Sequence, residues 1–398
     1  VLLGFNPDSP IEGRRVVVTG IGATSCAGQG TQALWKALLG GTAPVDRHVP
    51  PFDASHLGGP KELRRLDPFT LFALAAADEA WSQSGLEPTV ANAASIIATG
   101  IGGLQTLIEQ LDVLNERRAN RVSPFLIPMM MPNAAAAAVS MRYGTRGPCE
   151  TITTACAAGT HAIGYAARLV ASGRVDVAVA GGAEAVITPV SIAGFSNMTA
   201  LSSSGISRPF DVVRDGFVMG EGAGVLILES FDHAIARGAN ILAEIRGAAS
   251  TADAHHLTAP DPEGAGAVEC IRLTLRDAQL DPSEIDHINA HGTSTPLNDR
   301  AEGHAVATVF SDRQPPVTSI KGYLGHSLAA AGAHEAVVAV MTLQNQLIPA
   351  TVGTVTIDPE IDIDVVLGAA RPHNIRNIIS NSFGFGGHNG CLAISQPR

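Results

Sequence analysis

The chain has 398 residues, 45% of them hydrophobic and 16% charged, and its 26 Lys plus Arg against 37 Asp plus Glu give a formal net charge of −11. This length suits one large α/β unit or two to three packed domains, and the apolar content excludes disorder as the main state. The acidic balance excludes a basic field for nucleic acid, while the 42 glycines predict closely packed elements with surface left for a partner subunit.

Short β-branched runs alternate with alanine-rich stretches from one end to the other, the signature of α/β layering. Strands are predicted at 15–19, 95–99, 175–180, 225–229, 241–246, 285–289, 317–320, 376–380 and 391–394. Helices are predicted at 31–39, 68–84, 104–117, 157–172, 266–278, 298–309 and 332–345. Runs such as VAVAG and GVLILE are apolar throughout, as expected of strands covered by helices on both faces. Each half of the chain carries several strand–helix units, with a seam near Ser250. The expected organisation is an N-terminal extension 1–14, a first half 15–250 and a second half 251–398.

No signal peptide is expected at the N-terminus. The apolar segments 69–77 and 126–139 are too short, or too broken by Pro128, Pro132 and Asn133, to span a bilayer. The cysteines are Cys26, Cys149, Cys156, Cys270 and Cys391, an odd number without zinc-ligand spacing. A reduced, cytoplasmic, soluble setting with no membrane follows as the expectation.

Two glycine-rich segments imitate nucleotide loops. In VVVTGIGATS the third glycine position holds Ser25 and no helix follows, so a close-packed turn is expected. FGFGGHNG runs into an apolar strand, where no helix N-terminus is available to hold phosphate. Cys156 lies in TTACAAGTHAIG at the start of a predicted helix, where the positive end of the macrodipole favours a thiolate. Small neighbours at Ala157, Ala158 and Gly159 leave its sulfur approachable. His291, in INAHGTSTP, and His326, in KGYLGHS, each follow a predicted strand within a Gly/Ser/Thr-rich loop, where α/β proteins place active groups. The other cysteines and histidines lack such settings, and no HExxH or carboxylate cluster points to a metal enzyme.

TACAAG around Cys156, NAHGTSTPLND around His291, the Lys321–His326 K-x-x-x-GH segment and NSFGFGGHNG near the end occur in one order. With RPFDVVRDGFVMGEGAG between them, they resemble the β-ketoacyl-[acyl-carrier-protein] synthases of the elongating class I/II condensing type, including type II polyketide ketosynthases. The resemblance implies the thiolase fold, two βαβ-rich halves stacked as a five-layer αβαβα sandwich. It implies a decarboxylative Claisen condensation in fatty-acid or polyketide elongation, with Cys156 taking the acyl chain. His291 and His326 would donate to the malonyl thioester carbonyl, and the backbone N–H groups of Cys156 and Phe385 would form the oxyanion hole.

The same resemblance pairs Lys321 with Glu335 and assigns Thr293 and Thr295 to the phosphopantetheine arm. It makes Phe383 and Phe385 the gate of the acyl pocket and Ile101 and Phe195 its lining. It implies an acyl carrier protein as partner, docked on Lys61, Arg64, Arg65 and Arg121, and a homodimer or a heterodimer with a chain-length partner. The sequence departs at Thr199, where relatives often carry a basic residue, and the PMMMPN segment is expected to reshape the deep acyl pocket at the dimer interface. No free cofactor is implied. A structural Na+ or K+ is seen in related enzymes near positions matching Asn289, Glu335, Ser380 and Asn381. A thiolase-type acyl-CoA enzyme is the rival reading, but Cys391 lacks the CxGxG setting of a second catalytic cysteine. A non-catalytic chain-length partner would lack the nucleophile that Cys156 supplies.

Overall fold

The computed structural model describes residues 13–398, so most of the 1–14 extension lies outside the described residues. The frame is two sets of five strands. The first set is β1 (Val16–Ser25), β2 (Ala93–Ala98), β3 (Cys149–Glu150), β4 (Val177–Glu184) and β5 (Gly222–Ser230). The second is β6 (Ala243–Ala252), β7 (His287–Asn289), β8 (Val317–Thr318), β9 (Asn377–Gly384) and β10 (His388–Ser395). They run β3-β2-β4-β5-β1 and then β6-β10-β9-β7-β8 across one continuous sheet, joined where Val16–Val18 of β1 pair antiparallel with 243–245 of β6.

Directions repeat as well as order. β2 is parallel to β3 and β4, and the remaining pairs of its set are antiparallel. β7 is likewise parallel to β8 and β9, with the remaining pairs antiparallel. The chain is therefore a duplicated unit. Residue 250 falls inside β6, which is the first strand of the second set.

Six helices complete the layers: α1 (Pro68–Ser84), α2 (Ala134–Tyr143), α3 (Ala158–Ala171), α4 (Ala265–Ala278), α5 (Pro296–Val309) and α6 (Ala331–Asn345). Strand side chains alternate between faces, and the alternation assigns each helix its layer. Ala94, Ile96 and Ala98 of β2 pack with α3 and α6, whereas Ala93 and Ile97 pack with α1 and α2. On β10, Leu392 and Ile394 join the α3/α6 cluster, and Cys391 and Ala393 pack with α4 and α5. The result is the αβαβα stack that the thiolase resemblance implied. Each fully buried Ile, Leu or Val contributes about 1.5–3 kcal/mol.

Of these sixteen elements two went unpredicted, the two-residue edge strand β3 and the alanine-rich α2, whose pattern carries little periodic contrast. The VVVTGIGATS segment is also corrected, because it is continuous strand rather than a turn. A Cβ on Gly20 would stand 2.0 Å from the Ala80 carbonyl oxygen, and one on Gly22 would stand 1.9 Å from that of Ala76. These glycines let α1 lie directly on β1. FGFGGHNG forms the β9–β10 hairpin, with Gly386 and Gly387 at positive φ. Among the described residues no helix is long and apolar enough to cross a membrane.

Candidate active site

Cys156 sits in a 3-10 turn, Ala155–Ala157, that feeds α3. Ala155 holds φ at 49°, a left-handed conformation sparse for residues with a Cβ, and such strain of about 1–3 kcal/mol persists only where the surroundings enforce it. The enforcing neighbour is the β9–β10 hairpin. A Cβ on Gly384 would reach 3.1 Å from the Cys156 nitrogen, so glycine permits the approach that brings the Phe385 N–H onto Cys156. Burial pushes the thiol up to about 12, outweighing the Lys321 charge and that N–H. The helix-end preference for a thiolate is thereby overturned, because desolvation of the charged form is the larger effect. The resting group is a thiol.

His291 lies just beyond β7, and His326 follows the short helix Lys321–Leu324 beyond β8. Their rings stand edge to face, with centroids 5.4 Å apart. Burial, reinforced by the Lys321 charge, holds both imidazoles well below the usual histidine range, so both are neutral. The Lys321 ammonium is ion-paired with Glu335, donates to the His291 carbonyl at 2.6 Å and lies 3.3 Å from His291 Nδ1. An ammonium only donates, so Nδ1 accepts and the His291 proton resides on Nε2. Neither ring nitrogen of His326 has a partner.

Cys156, His291 and His326 line one cavity of about 540 Å³, together with Thr293, Thr295, Phe195, Phe383 and Phe385. The Thr293 and Thr295 hydroxyls are 2.9 Å apart. Thr199 lines the same cavity at a positive φ of 55°. Ile101 does not line it: the side chain is 42% exposed, and its N–H donates to Glu184. Nor does the methionine segment, which forms the helix Leu126–Met130 elsewhere on the surface. Lys61, Arg64, Arg65 and Arg121 are all exposed, and the Arg65 guanidinium lies 4.1 Å above the Phe125 ring. That contact brings the 61–65 segment against the one that follows Arg121.

Asn289, Ser380 and Asn381 are fully buried beside Glu335, and Asn289 Nδ2 donates to the Glu335 carbonyl. Three acceptors, Asn289 Oδ1, Ser380 Oγ and Asn381 Oδ1, have no hydrogen-bond partner.

Three buried carboxylates and one ring escaped the sequence reading. Glu302 accepts from the N–H groups of His291 and Gly292, and Asp299 accepts from those of Thr293 and Ser294. Both lie on α5, three residues apart and on one face, so the pair fixes the histidine loop from beneath. Glu184 ends β4 and accepts from Thr99 Oγ1 and from the N–H groups of Gly100, Ile101 and Ala329. Phe217 packs edge-on against His326 at 5.3 Å. The available signal was the NDRAE spacing after the histidine loop and a glutamate closing an otherwise apolar strand.

Residues 44–234 match the family described as "Beta-ketoacyl synthase, N-terminal domain", and residues 242–354 match its C-terminal domain. The chain belongs to the β-ketoacyl synthase family. A 3-oxoacyl-[acyl-carrier-protein] synthase 2 from Synechocystis is 43% identical, covering 97% of this chain and 99% of that protein. The Coxiella burnetii protein of the same name is 40% identical over the same shares. Among solved structures, the ishigamide ketosynthase/chain length factor superposes with a TM-score of 0.90 at 32% identity, covering 97% of this chain and all of that one. A type II polyketide acyl-carrier protein in complex with its ketosynthase gives 0.89 at 31%, with the same coverage. This β-ketoacyl synthase is an acyl-transferring condensing enzyme of the 3-oxoacyl-[acyl-carrier-protein] synthase type.

Proposed function

We propose that this synthase performs its condensation with Cys156 as nucleophile and His291 and His326 as the decarboxylating pair. The observation that carries this reading is the convergence of one thiol, two neutral imidazoles and the Phe385 N–H on a single cavity. In the first step Cys156 Sγ attacks the acyl thioester of an acyl carrier protein. The N–H groups of Cys156 and Phe385 hold the oxyanion, and the carrier thiol leaves with the proton that Cys156 gives up. In the second step the C–C bond to the malonyl carboxylate breaks and CO2 departs. The electron pair moves onto the thioester oxygen, where the His291 Nε2–H and the ring N–H of the neutral His326 donate. Such preoriented donors are worth about 3–4 kcal/mol each. The enolate carbon then attacks the Cys156 thioester carbon, the C–S bond breaks, and the sulfur takes a proton from solvent as the β-ketoacyl carrier protein forms.

In the same reading the first half, 15–250, supplies the nucleophile, and the second half, 251–398, supplies the histidines. Thr293 and Thr295 bind the phosphopantetheine arm, Phe383 and Phe385 gate the acyl chain, and Phe195 lines its pocket. Lys61, Arg64, Arg65 and Arg121 attract an acidic carrier protein. No free cofactor takes part. The unpartnered oxygens of Asn289, Ser380 and Asn381 fit a Na+ or K+, which prefers such oxygen donors and would brace the Glu335 region without entering the reaction. The setting is cytoplasmic.

The synthase acts as a homodimer in chain elongation. The alternative, a catalytic ketosynthase half of a heterodimeric type II polyketide synthase, is favoured by Thr199 at the cavity mouth and by the polyketide neighbours. Intact-protein mass spectrometry tests the reading. Acyl carrier protein should add an acyl group to Cys156, and malonyl carrier protein should discharge it into a β-keto product two carbons longer. Absence of any adduct across acyl lengths overturns it.

A further inference from the structure

His161 is the titratable group nearest the nucleophile in sequence that the chemistry above leaves unused. It lies one turn into α3, and its ring is inserted between two segments that meet at Cys156. Nε2 lies 3.0 Å from the Asn389 carbonyl oxygen, and Nδ1 lies 2.7 Å from Thr154 Oγ1. A carbonyl only accepts, so the proton is on Nε2 and Nδ1 accepts from the Thr154 hydroxyl. Burial holds the ring below the usual histidine range, which keeps this neutral tautomer in place. The surroundings are shaped for the imidazole, since a Cβ on Gly390 would stand 2.9 Å from His161 Cδ2.

The two partners carry the two oxyanion donors. Thr154 immediately precedes Ala155, whose left-handed φ orients the Cys156 N–H. Asn389 is the register partner of Phe383 in the β9–β10 hairpin, whose turn bears Phe385. The Thr160 and Ser382 hydroxyls, 2.7 Å apart, join α3 to β9 further along, and the His161 bridge ties the strained turn itself to the hairpin.

We infer that His161 is a positioning residue: it sets the spacing between the Cys156 and Phe385 N–H groups by bridging Thr154 to Asn389. This rests on the proposed roles of Cys156 and Phe385. Removing it should harm acyl transfer to Cys156, which uses that oxyanion hole. Malonyl decarboxylation uses the histidine pair and should be spared.

The test measures two rates on the whole chain: acylation of Cys156 from an acyl carrier protein, and CO2 release from malonyl carrier protein. In His161→Ala, acylation should fall about ten- to a hundredfold, the scale of a misplacement approaching 1 Å, with CO2 release within about threefold of the parent. His161→Gln, which can still donate to the Asn389 carbonyl, should recover most of the loss. If His161→Ala does not fold, Thr154→Val removes one of the two bonds at nearly constant volume and should show the same split at smaller size. Parent-like acylation in these variants, or equal loss of both rates, overturns the inference. A parent protein that takes no acyl group at all instead overturns the functional reading beneath it.

Discussion

The two halves build the same turn at the head of their central helix and use it differently. In the first half Ala155, at φ 49°, opens a 3-10 turn that places Cys156 ahead of α3. In the second half Leu328, at φ 45°, opens the matching turn ahead of α6, and Ala329 occupies the position of the cysteine. The strand end facing each turn differs too. Glu184 closes β4 and accepts the Ala329 N–H, filling the space over the second turn. Gly384 closes β9, carries no side chain, and leaves its space open for Phe385 beside Cys156 in the cavity. A duplicated frame thus opens a cavity where a side chain is withheld, and forms a braced scaffold where one is supplied.

The largest effect should come from exchanging the occupants. Cys156→Ala should abolish the acyl adduct in mass spectrometry, and adding Ala329→Cys should not restore it, because the Glu184 carboxylate occupies the equivalent space. An adduct at residue 329 would break the comparison. Next, His326→Ala should lower CO2 release from malonyl carrier protein about a hundredfold or more while acylation persists. Equal loss of both steps would mean that the halves do not divide the work.

Lys321→Ala leaves Glu335 buried without its cation, with both side chains shielded from solvent. Denaturant unfolding should show a loss of about 3–5 kcal/mol, larger than that of any exposed ion pair such as Arg300–Glu360.

The smallest effect concerns pH. Burial raises the Glu184 carboxyl from 4.5 to about 7. Its folded form therefore binds protons more tightly than the unfolded chain. Its stabilising contribution is full below about 4.5 and is lost as pH rises through about 7. Glu184→Gln should remove its part of that decline in a series of thermal melts between pH 5 and 8, as judged against the raised carboxyl. An unchanged slope would place the titration elsewhere, with Glu302 as the other carboxyl raised to about 7.

The layered fold was legible because strands such as β4 and β5 are apolar on both faces and helices such as α1, α3 and α6 are long. α2 and β3 were not legible: an alanine run has no polar face to betray its period, and a two-residue strand is defined by its neighbour. The loops of Cys156, His291 and His326 were legible as strand-end motifs. Glu302, Asp299 and Glu184 were not, because a carboxylate that accepts backbone N–H groups leaves no pattern until the chain has folded. The burial that raises the Cys156 thiol was not legible either, since burial is a property of the whole stack and the helix end a property of the segment.

The shared inner layer also bears on how the chain is made. The inward faces of β2, β4 and β5, including Ala94, Ile96, Ala178, Ala180, Leu226 and Leu228, belong to the same cluster as Ala333, Ala336, Val337 and Val340 of α6. That helix leaves the ribosome only after the whole first half has emerged. The nascent first half therefore presents an unfinished apolar sheet to the cell until synthesis passes Asn345, the situation in which chains recruit chaperones or aggregate. Neither half can be shed or exchanged as a free module, even though only the first carries Cys156.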